Sequence, residues 1–229
     1  MAQFELSGVT LEVPEAFLTK RIRMKLKNGG YEGHESRAAQ LVVDYGDRVL
    51  DLGSGVGYVA TLCAMLAGAE NVVTVEANPD LLPVIRGNLE LNDCEEATVL
   101  HGAAVGAPVT GGTLALKQAR AFWASSVSDA GGAETIDVPA LVLRDLIAEH
   151  KPTVVMMDVE GAEATMFDAP WPDHVRVLVM ELHPKRYPDT VIKRIFDCMS
   201  ASGLIYAPAL SRGQMIGFCR EGVALDAEG

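Results

Sequence analysis

The sequence predicts an α/β fold in which helices cover both faces of a mostly parallel sheet. Short apolar runs alternate with segments of helical periodicity from residue 48 onward, which is the pattern of such a sheet. The first of these runs passes directly into a glycine-rich turn and a helix. Several runs end in an acid, so the carboxyl ends of the strands are expected to share one polar edge.

The first 45 residues precede this alternation and are interpreted as an N-terminal extension. Residues Phe4–Val13 alternate apolar and polar side chains around Ser7-Gly8, which predicts a small β-hairpin. Pro14 then favours the start of a helix with one apolar face, and Asn28-Gly29-Gly30 ends it. A second helix is expected at Ser36–Asp44.

The centre of the predicted fold is the stretch Arg48–Tyr58, RVLDLGSGVGY. Its first four residues form a short buried strand, and Gly53, Gly55 and Gly57 lead into a helix that ends at Gly68. Glycines let the main chain turn sharply and let a ligand approach without meeting a Cβ atom. The free N–H groups at the start of the helix add a partial positive charge. This stretch is therefore the first candidate binding site.

The spacing of the glycines separates two kinds of nucleotide site. A dinucleotide site requires G-x-G-x-x-G, but position 58, where its third glycine would fall, is Tyr58. This disfavours a nicotinamide-dependent oxidoreductase. The observed G-x-G-x-G, with Asp51 just before it, resembles motif I of class I methyltransferases, which use S-adenosylmethionine (SAM). The resemblance implies that Asp51, the three glycines and Tyr58 contact SAM.

The later strands and helices follow in regular order. Further strands are expected at Asn71–Glu76, Ala97–His101, Val154–Asp158, Val175–Leu182, Leu204–Ala207 and Met215–Cys219. Helices are expected at Pro79–Leu91 and Pro188–Ser200, because proline is favoured in the first turn. Too few residues separate the last two strands for a parallel crossover, so they should pair antiparallel.

A long segment, residues 103–139, separates the third and fourth strands. It is rich in Gly, Ala and Ser, and it contains strand-like pieces at Thr113–Leu116 and Ala121–Ala124. We interpret it as a flap insertion near the site rather than a second domain. The whole chain, residues 1–229, is thus expected to form one domain.

Acids are predicted at the carboxyl ends of four strands: Asp51, Glu76, Asp158 and Glu181. Ligands of open α/β sheets bind at this edge. Glu76 ends the second strand, where a carboxylate can accept hydrogen bonds from both hydroxyls of a ribose. A purely structural cap is the alternative role for this residue.

The segment MMDVEGAE, residues 156–163, makes the resemblance more specific. It is similar to the D-x-E-G-x-E signature of the FkbM family of SAM-dependent methyltransferases. Further matches are Tyr31-Glu32 with Glu35, VLDLGSGVGY at 49–58, VEANP at 75–79, LRDLI at 143–147 and VMELHP at 179–184. The resemblance implies a Rossmann-like, seven-stranded sheet of order 3-2-1-4-5-7-6, with strand 7 antiparallel. It also implies SAM contacts for Glu35, Ala77, Ser126 and Asp158.

The resemblance implies O-methylation of a small hydroxylated molecule, such as a sugar, a polyketide or another secondary metabolite. Methyl transfer from a sulfonium is an in-line displacement, so the enzyme must align the acceptor hydroxyl and remove its proton. Asp158 and Glu160 are the leading candidate bases, and His183 is the alternative. Crowded carboxylates raise one another's pKa, which suits this role.

Composition excludes several other classes. A net charge of −12 argues against a broad nucleic-acid surface, and no apolar run reaches the length of a membrane span. The four cysteines are scattered without metal-ligand spacing, which favours a reducing cytoplasm. Asp158 and Glu181 partly imitate the Mg²⁺ site of some methyltransferases, but the remaining ligands are not recognisable, so no metal is predicted.

Two alternatives to a small-molecule O-methyltransferase stay open. One is the nicotinamide-dependent oxidoreductase. The other is a methyltransferase-like domain that binds SAM without catalysis or modifies a macromolecule. The sequence does not decide whether the protein forms a homo-oligomer.

Overall fold

The computed structural model describes residues 1–117, 126–127 and 135–225. In chain order the strands are β1 (Ala2–Leu6), β2 (Val9–Val13), β3 (Val49–Leu52), β4 (Val72–Glu76), β5 (Thr98–His101), β6 (Ala103–Val105), β7 (Thr113–Lys117), β8 (Ser126–Val127), β9 (Thr135–Val142), β10 (Val154–Met157), β11 (Val177–Glu181), β12 (Leu204–Tyr206) and β13 (Met215–Arg220). The α-helices are α1 (Lys20–Lys27), α2 (Gly33–Val42), α3 (Tyr58–Ala67), α4 (Leu82–Glu90), α5 (Leu143–His150) and α6 (Asp189–Ala201).

The main sheet has seven strands in the order β12-β13-β11-β10-β3-β4-β5. The five strands from β11 to β5 run parallel, while β13 is antiparallel to both β11 and β12. This confirms the strand order and the single reversed strand that the sequence resemblance implies. Because β3 lies between β10 and β4, the acids that end or follow these strands meet at one edge.

The central strands of the sheet are buried on both faces, which explains why most of their residues are apolar. In β10, Val154 and Met156 face a core formed with α2, α3 and α4, whereas Val155 and Met157 face a second core formed with α5 and α6. Successive side chains of a strand point to opposite faces. A strand covered on both sides therefore favours apolar residues, and the polar exceptions Asp51 and Thr74 are hydrogen-bonded to each other.

The N-terminal hairpin forms as predicted, and it is fixed to α4 by two amide side chains. Asn88 Oδ1 accepts the N–H of Glu12 at 2.7 Å, and Asn92 Oδ1 accepts the N–H of Thr10 at 2.9 Å. The predicted continuous helix from Pro14 is wrong. Residues 15–17 form one 3₁₀ turn, and α1 begins only after Thr19, whose side chain caps it by accepting the N–H of Ile22.

Two other helix boundaries differ from the predictions. Helix α2 begins at Gly33, three residues before the predicted Ser36; Glu32, which precedes it, is left-handed (φ 44°), and its carbonyl accepts the N–H of Ser36 at 2.9 Å. The helix predicted from Pro79 is divided into a 3₁₀ turn, Pro79–Leu81, and α4. Within the described residues, no helix is both long and apolar enough to cross a membrane.

The insertion forms a second, four-stranded sheet of order β6-β9-β7-β8. The strand predicted at Thr113–Leu116 is β7, while the one predicted at Ala121–Ala124 lies outside the described residues. Strand β9 continues past the expected boundary at Pro139 as far as Val142. Partly buried Ala77, directly after β4, packs against this sheet and so links the insertion to the carboxyl edge of the main sheet.

Candidate functional site

The glycine turn is held tightly between β4 and β10. The N–H groups of Gly53 and Ser54 donate to the carbonyl of Val75, at 2.9 and 3.3 Å. Gly53 has φ +92°, and a Cβ there would lie 1.8 Å from the main-chain oxygen of Asp158. Gly57 has φ +85° and lies against Ile85 of α4. These two glycines are therefore required by packing and backbone conformation, independently of any ligand.

Glu76 lies where its carboxylate can meet a ligand at the turn. Its two oxygens accept the N–H of Gly55 at 3.0 Å and the N–H of Asn78 at 2.7 Å. Only 8% of the residue is exposed, and burial raises its pKa to about 7 against the effect of these hydrogen bonds. Each carboxylate oxygen can accept a second hydrogen bond. The geometry therefore leaves acceptor capacity for two ribose hydroxyls.

Asp51 is buried beside Glu76, with 4% of the residue exposed. The hydroxyl of Thr74, its partner in the register of β3 and β4, donates to Asp51 Oδ2 at 2.6 Å, and Ser54 is hydrogen-bonded to the same hydroxyl. Burial raises the pKa of Asp51 to about 6. Asp51 also lines a small cleft together with Gly53, Glu35 and Asp158. The structure thus brings these four predicted site residues together.

Tyr58 lies differently from the other predicted SAM contacts. Its side chain is 2% exposed and belongs to the core, with its ring centroid 6.4 Å from that of Tyr31. If Tyr58 contacts a ligand, it therefore does so through its main chain at the start of α3 and not through its side chain. The backbone of Ser126 forms part of β8, but its side chain falls outside the described part of the chain. Its role stays a prediction.

Two overlapping groups of potential ligand atoms share Asp158. One comprises Glu35, Asp158 and Glu181, and the other comprises Asp158, Glu160 and His183; within each group the atoms lie within 4.8 Å of one another. Burial and the charge of Glu181 raise the pKa of both Glu35 and Asp158. Such oxygen and imidazole donors are also able to hold a divalent metal. The prediction of no metal therefore stays a prediction.

The three predicted catalytic residues meet beyond the carboxyl ends of β10 and β11. His183 Nε2 lies 3.5 Å from Asp158 Oδ1 and 3.6 Å from Glu160 Oε2. Asp158 Oδ1 is itself buried and has no hydrogen-bond partner among the described residues. The imidazole thus faces two carboxylates that come from a different strand.

The sequence reasoning missed how His183 is held. Glu163 is fully buried and accepts hydrogen bonds from Gly161 N–H (2.9 Å), Tyr187 O–H (2.7 Å) and the ring of His183 at Nδ1 (2.8 Å). Burial acts to raise the pKa of Glu163, but the bonds from His183 and Tyr187 lower it overall. Tyr187 was not singled out at all; its only sequence signal is its position four residues after His183.

Comparison with known proteins identifies a family whose profile spans the residues of this site. The sequence profile of the methyltransferase FkbM domain matches residues 51–203, which include the glycine turn, Glu76 and the D-x-E-G-x-E segment. A protein-L-isoaspartate O-methyltransferase from Methanococcoides burtonii is 42% identical over 62 residues. That segment covers 27% of this chain and 30% of the archaeal protein.

Two solved structures illustrate the similarity in three dimensions. Precorrin-6y C5,15-methyltransferase from Geobacter metallireducens gives a TM-score of 0.48 at 15% identity, covering 92% of this chain and 94% of that one. Fibrillarin from Aeropyrum pernix, solved with bound S-adenosyl-L-methionine, gives a TM-score of 0.46 at 16% identity. The match covers 82% of this chain and 80% of the fibrillarin chain. At these values neither likeness indicates an activity. The family match spans well over half of the sequence, and the chain belongs to the FkbM methyltransferase family.

Proposed function

We propose that this protein uses SAM to methylate a hydroxyl group of a small molecule, such as a sugar, a polyketide or another secondary metabolite. One observation carries the proposal. The main chain of Asp158, the first residue of the D-x-E-G-x-E segment, lies directly against the glycine turn at Gly53. A cofactor held at that turn is therefore adjacent to Asp158, Glu160 and His183.

The residues at the glycine turn fit SAM. Glu76 has free acceptor capacity for ribose hydroxyls, and Asp51 and Glu35 line the cleft beside Gly53, where they could pair with the ammonium group of SAM. The N–H of Gly55 donates to the Glu76 carboxylate, and Ala77 directly follows Glu76 in the chain. When bound, SAM supplies a methyl group that is already activated by the sulfonium. The chain then needs only to align an acceptor and remove its proton.

Asp158 is the residue best suited to take that proton. Its Oδ1 atom is buried without a partner, beside the imidazole of His183. Burial and the neighbouring Glu181 raise its pKa, which brings the carboxylate closer to the working range of a general base. Asp158 would accept the proton of the acceptor hydroxyl as its oxygen bonds to the methyl carbon, and bound SAM would supply that methyl group, with the electron pair of its S–CH₃ bond left on sulfur. The products are a methyl ether and S-adenosylhomocysteine.

The charge of the protein supports a small acceptor over a nucleic acid. The net charge is −12, and the acids at the glycine turn and at Asp158 and Glu160 would repel a phosphate backbone. A neutral or cationic hydroxylated molecule meets no such repulsion. We therefore propose that the protein has no nucleic-acid partner. A cytoplasmic location and independence from metal remain expectations from the sequence, and whether the protein forms a homo-oligomer remains open.

Two measurements test the proposal. Calorimetric titration should show binding of SAM and S-adenosylhomocysteine, and no binding of NADH. Mass spectrometry after incubation with methyl-¹³C SAM and a panel of sugars and polyketides should then detect a labelled methyl ether, with or without EDTA. Binding of NADH instead of SAM would overturn the cofactor assignment. Label found only on protein or RNA, or on no acceptor at all, would overturn the proposed substrate class.

A further inference from the structure

A single buried carboxylate connects the two loops that carry the candidate catalytic groups. One oxygen of Glu163 accepts the N–H of Gly161, in the turn after β10, at 2.9 Å. The other accepts from the His183 ring at 2.8 Å and from the Tyr187 hydroxyl at 2.7 Å, both in the loop after β11. The side chain is completely shielded from solvent. A buried charge with this many donors is retained only where the donors stay in place.

We infer that Glu163 is a positioning residue, which holds the His183 ring and the Gly161 turn so that Nε2 of His183 and the carboxylates of Asp158 and Glu160 surround the acceptor hydroxyl. The inference deepens the proposed function and rests on it for the identity of the acceptor. The geometry of the three side chains, however, is independent of any substrate.

The first contact fixes the histidine. A carboxylate only accepts hydrogen bonds, so the proton between Glu163 and His183 must lie on Nδ1. Tyr187 locks the same loop, because its oxygen accepts the main-chain N–H of His183 at 2.7 Å while its hydroxyl donates to Glu163. Rotation of the ring would break the bond at Nδ1. Nε2 is therefore held towards Asp158 and Glu160.

The second contact fixes the turn that carries Glu160. Glu160 has φ +52°, a left-handed conformation that is uncommon for a residue other than glycine, asparagine or aspartate. Gly161 follows at φ +105°, and its N–H is the group that donates to Glu163. The bond stabilises a strained turn, and such strain persists only where the surroundings enforce it. The turn directs Glu160 Oε2 towards His183 and towards Arg186 Nη2, 3.8 Å away.

The charges around His183 agree with this arrangement. The groups that face its ring are Glu163 at Nδ1, and Asp158 and Glu160 at Nε2, while Tyr187 contacts the main-chain N–H of the same residue. Burial acts to lower the pKa of His183, but the hydrogen bond and charge of Glu163, with Asp158 and Glu160, raise it overall. The ring therefore keeps its proton to higher pH than an ordinary histidine, with Nε2 facing both carboxylates.

Nitrogen-15 NMR of the imidazole tests the inference without any acceptor. In the wild-type protein, His183 should titrate above the ordinary histidine pKa and carry its proton on Nδ1 when neutral; loss of the signals in His183→Asn assigns them. In Glu163→Gln the pKa should fall by about one unit or more, because a charge-assisted hydrogen bond becomes a neutral one. Tyr187→Phe keeps the charge of Glu163 and should lower the pKa less.

Activity and binding supply the second readout. Glu163→Gln should lower kcat at least about tenfold, because a misplaced catalytic group costs rate, while the Kd for SAM stays within about twofold. A folded Glu163→Gln protein with the wild-type tautomer and pKa would overturn the inference, as would a neutral wild-type ring protonated on Nε2. The tautomer of the wild-type His183 ring is measured without any variant, so this measurement tests the inference even if Glu163→Gln does not fold. Failure of SAM to bind wild-type protein would instead overturn the proposed function and leave the NMR result unaffected.

Discussion

Two parts of the site hold buried carboxylates in opposite ways. At the glycine turn, Asp51 and Glu76 are hydrogen-bonded by neutral groups alone among the described residues, and burial raises their pKa to about 6 and about 7. In the loops after β10 and β11, Glu163 is also shielded from solvent, yet its pKa is lowered because His183 and Tyr187 donate to it. Strong donors can therefore outweigh the effect of burial on the pKa of a carboxylate.

This difference suits the two parts to different tasks. The turn holds acids whose charge is costly in the free protein, so a cationic ligand such as SAM would stabilise their ionised forms. In the loops after β10 and β11, the Glu163 carboxylate is already hydrogen-bonded to the His183 ring. These loops can therefore keep a fixed geometry whether or not a ligand is bound. The predictions below separate the two parts, beginning with the largest expected effect.

Asp158→Asn should lower kcat by about 10²- to 10⁴-fold, because the amide cannot accept the acceptor proton. The Kd for SAM should change only a few-fold, since the Glu76 carboxylate is untouched. Asp145→Asn, which removes a similar charge from the exposed face of α5, is the matched control and should leave both quantities unchanged. Wild-type turnover by Asp158→Asn would remove this residue from the mechanism.

Gly53→Ala should destabilise the protein by about 3 kcal/mol or more, because both its backbone conformation and the 1.8 Å approach to Asp158 O are incompatible with a Cβ. Gly46 has a similar φ of +88° with nothing within 4 Å of its Cβ position. Gly46→Ala should therefore cost only about 1 kcal/mol from backbone strain. Chemical denaturation measures both, and equal losses would show that the contact between the turn and β10 is not tight.

Glu76→Gln should weaken SAM binding by about 10- to 100-fold, which corresponds to the loss of hydrogen bonds to a charged acceptor. Calorimetry measures the change, and kcat at saturating SAM should stay close to wild type. Glu90→Gln, an exposed acid on α4, provides the control. An unchanged Kd in Glu76→Gln would assign Glu76 a structural role in ordering the turn.

The ligand-free protein should become more stable by about 1 to 2 kcal/mol as the pH falls from 8 to 6. Over this range the folded chain takes up protons at Glu76 and Asp51, whereas the same acids in the unfolded chain remain ionised until about pH 4. The folded state therefore binds more protons, and stability rises with acidity. Urea unfolding at several pH values measures the effect, and Glu76→Gln should reduce it without abolishing it, because the raised pKa values of Asp158 and His183 act in the same direction.

Much of the fold could be predicted because its signals are local. The apolar run at Val154–Met157 and the glycine turn after β3 each reflect a requirement of one short segment. The N-terminal helix shows where local signals compete. Pro14 favours a helix start, but only a 3₁₀ turn forms there, and the cap at Thr19 begins α1 instead. A sequence shows both signals without showing which one prevails.

The site was predictable in position but not in its internal contacts. The sequence places Asp158, Glu160 and His183 at neighbouring strand ends, and the structure brings them within 4.8 Å of one another. Tyr58 fits the glycine pattern equally well, yet its ring is in the core. Tyr187 makes one bond to Glu163 and one to the main-chain N–H of His183, and it lies 24 residues from Glu163 in the chain. Periodicity and spacing carry no information about such a pair.

The sequence by itself determined the alternation of strands and helices, the glycine turn and the acids at the carboxyl edge. These follow from the burial of strands on both faces and from the backbone freedom of glycine. Only the tertiary structure decided which buried acids carry charge. The pKa of a carboxylate depends on the donors that reach it, and those donors come from distant parts of the chain: Thr74 for Asp51, and His183 with Tyr187 for Glu163.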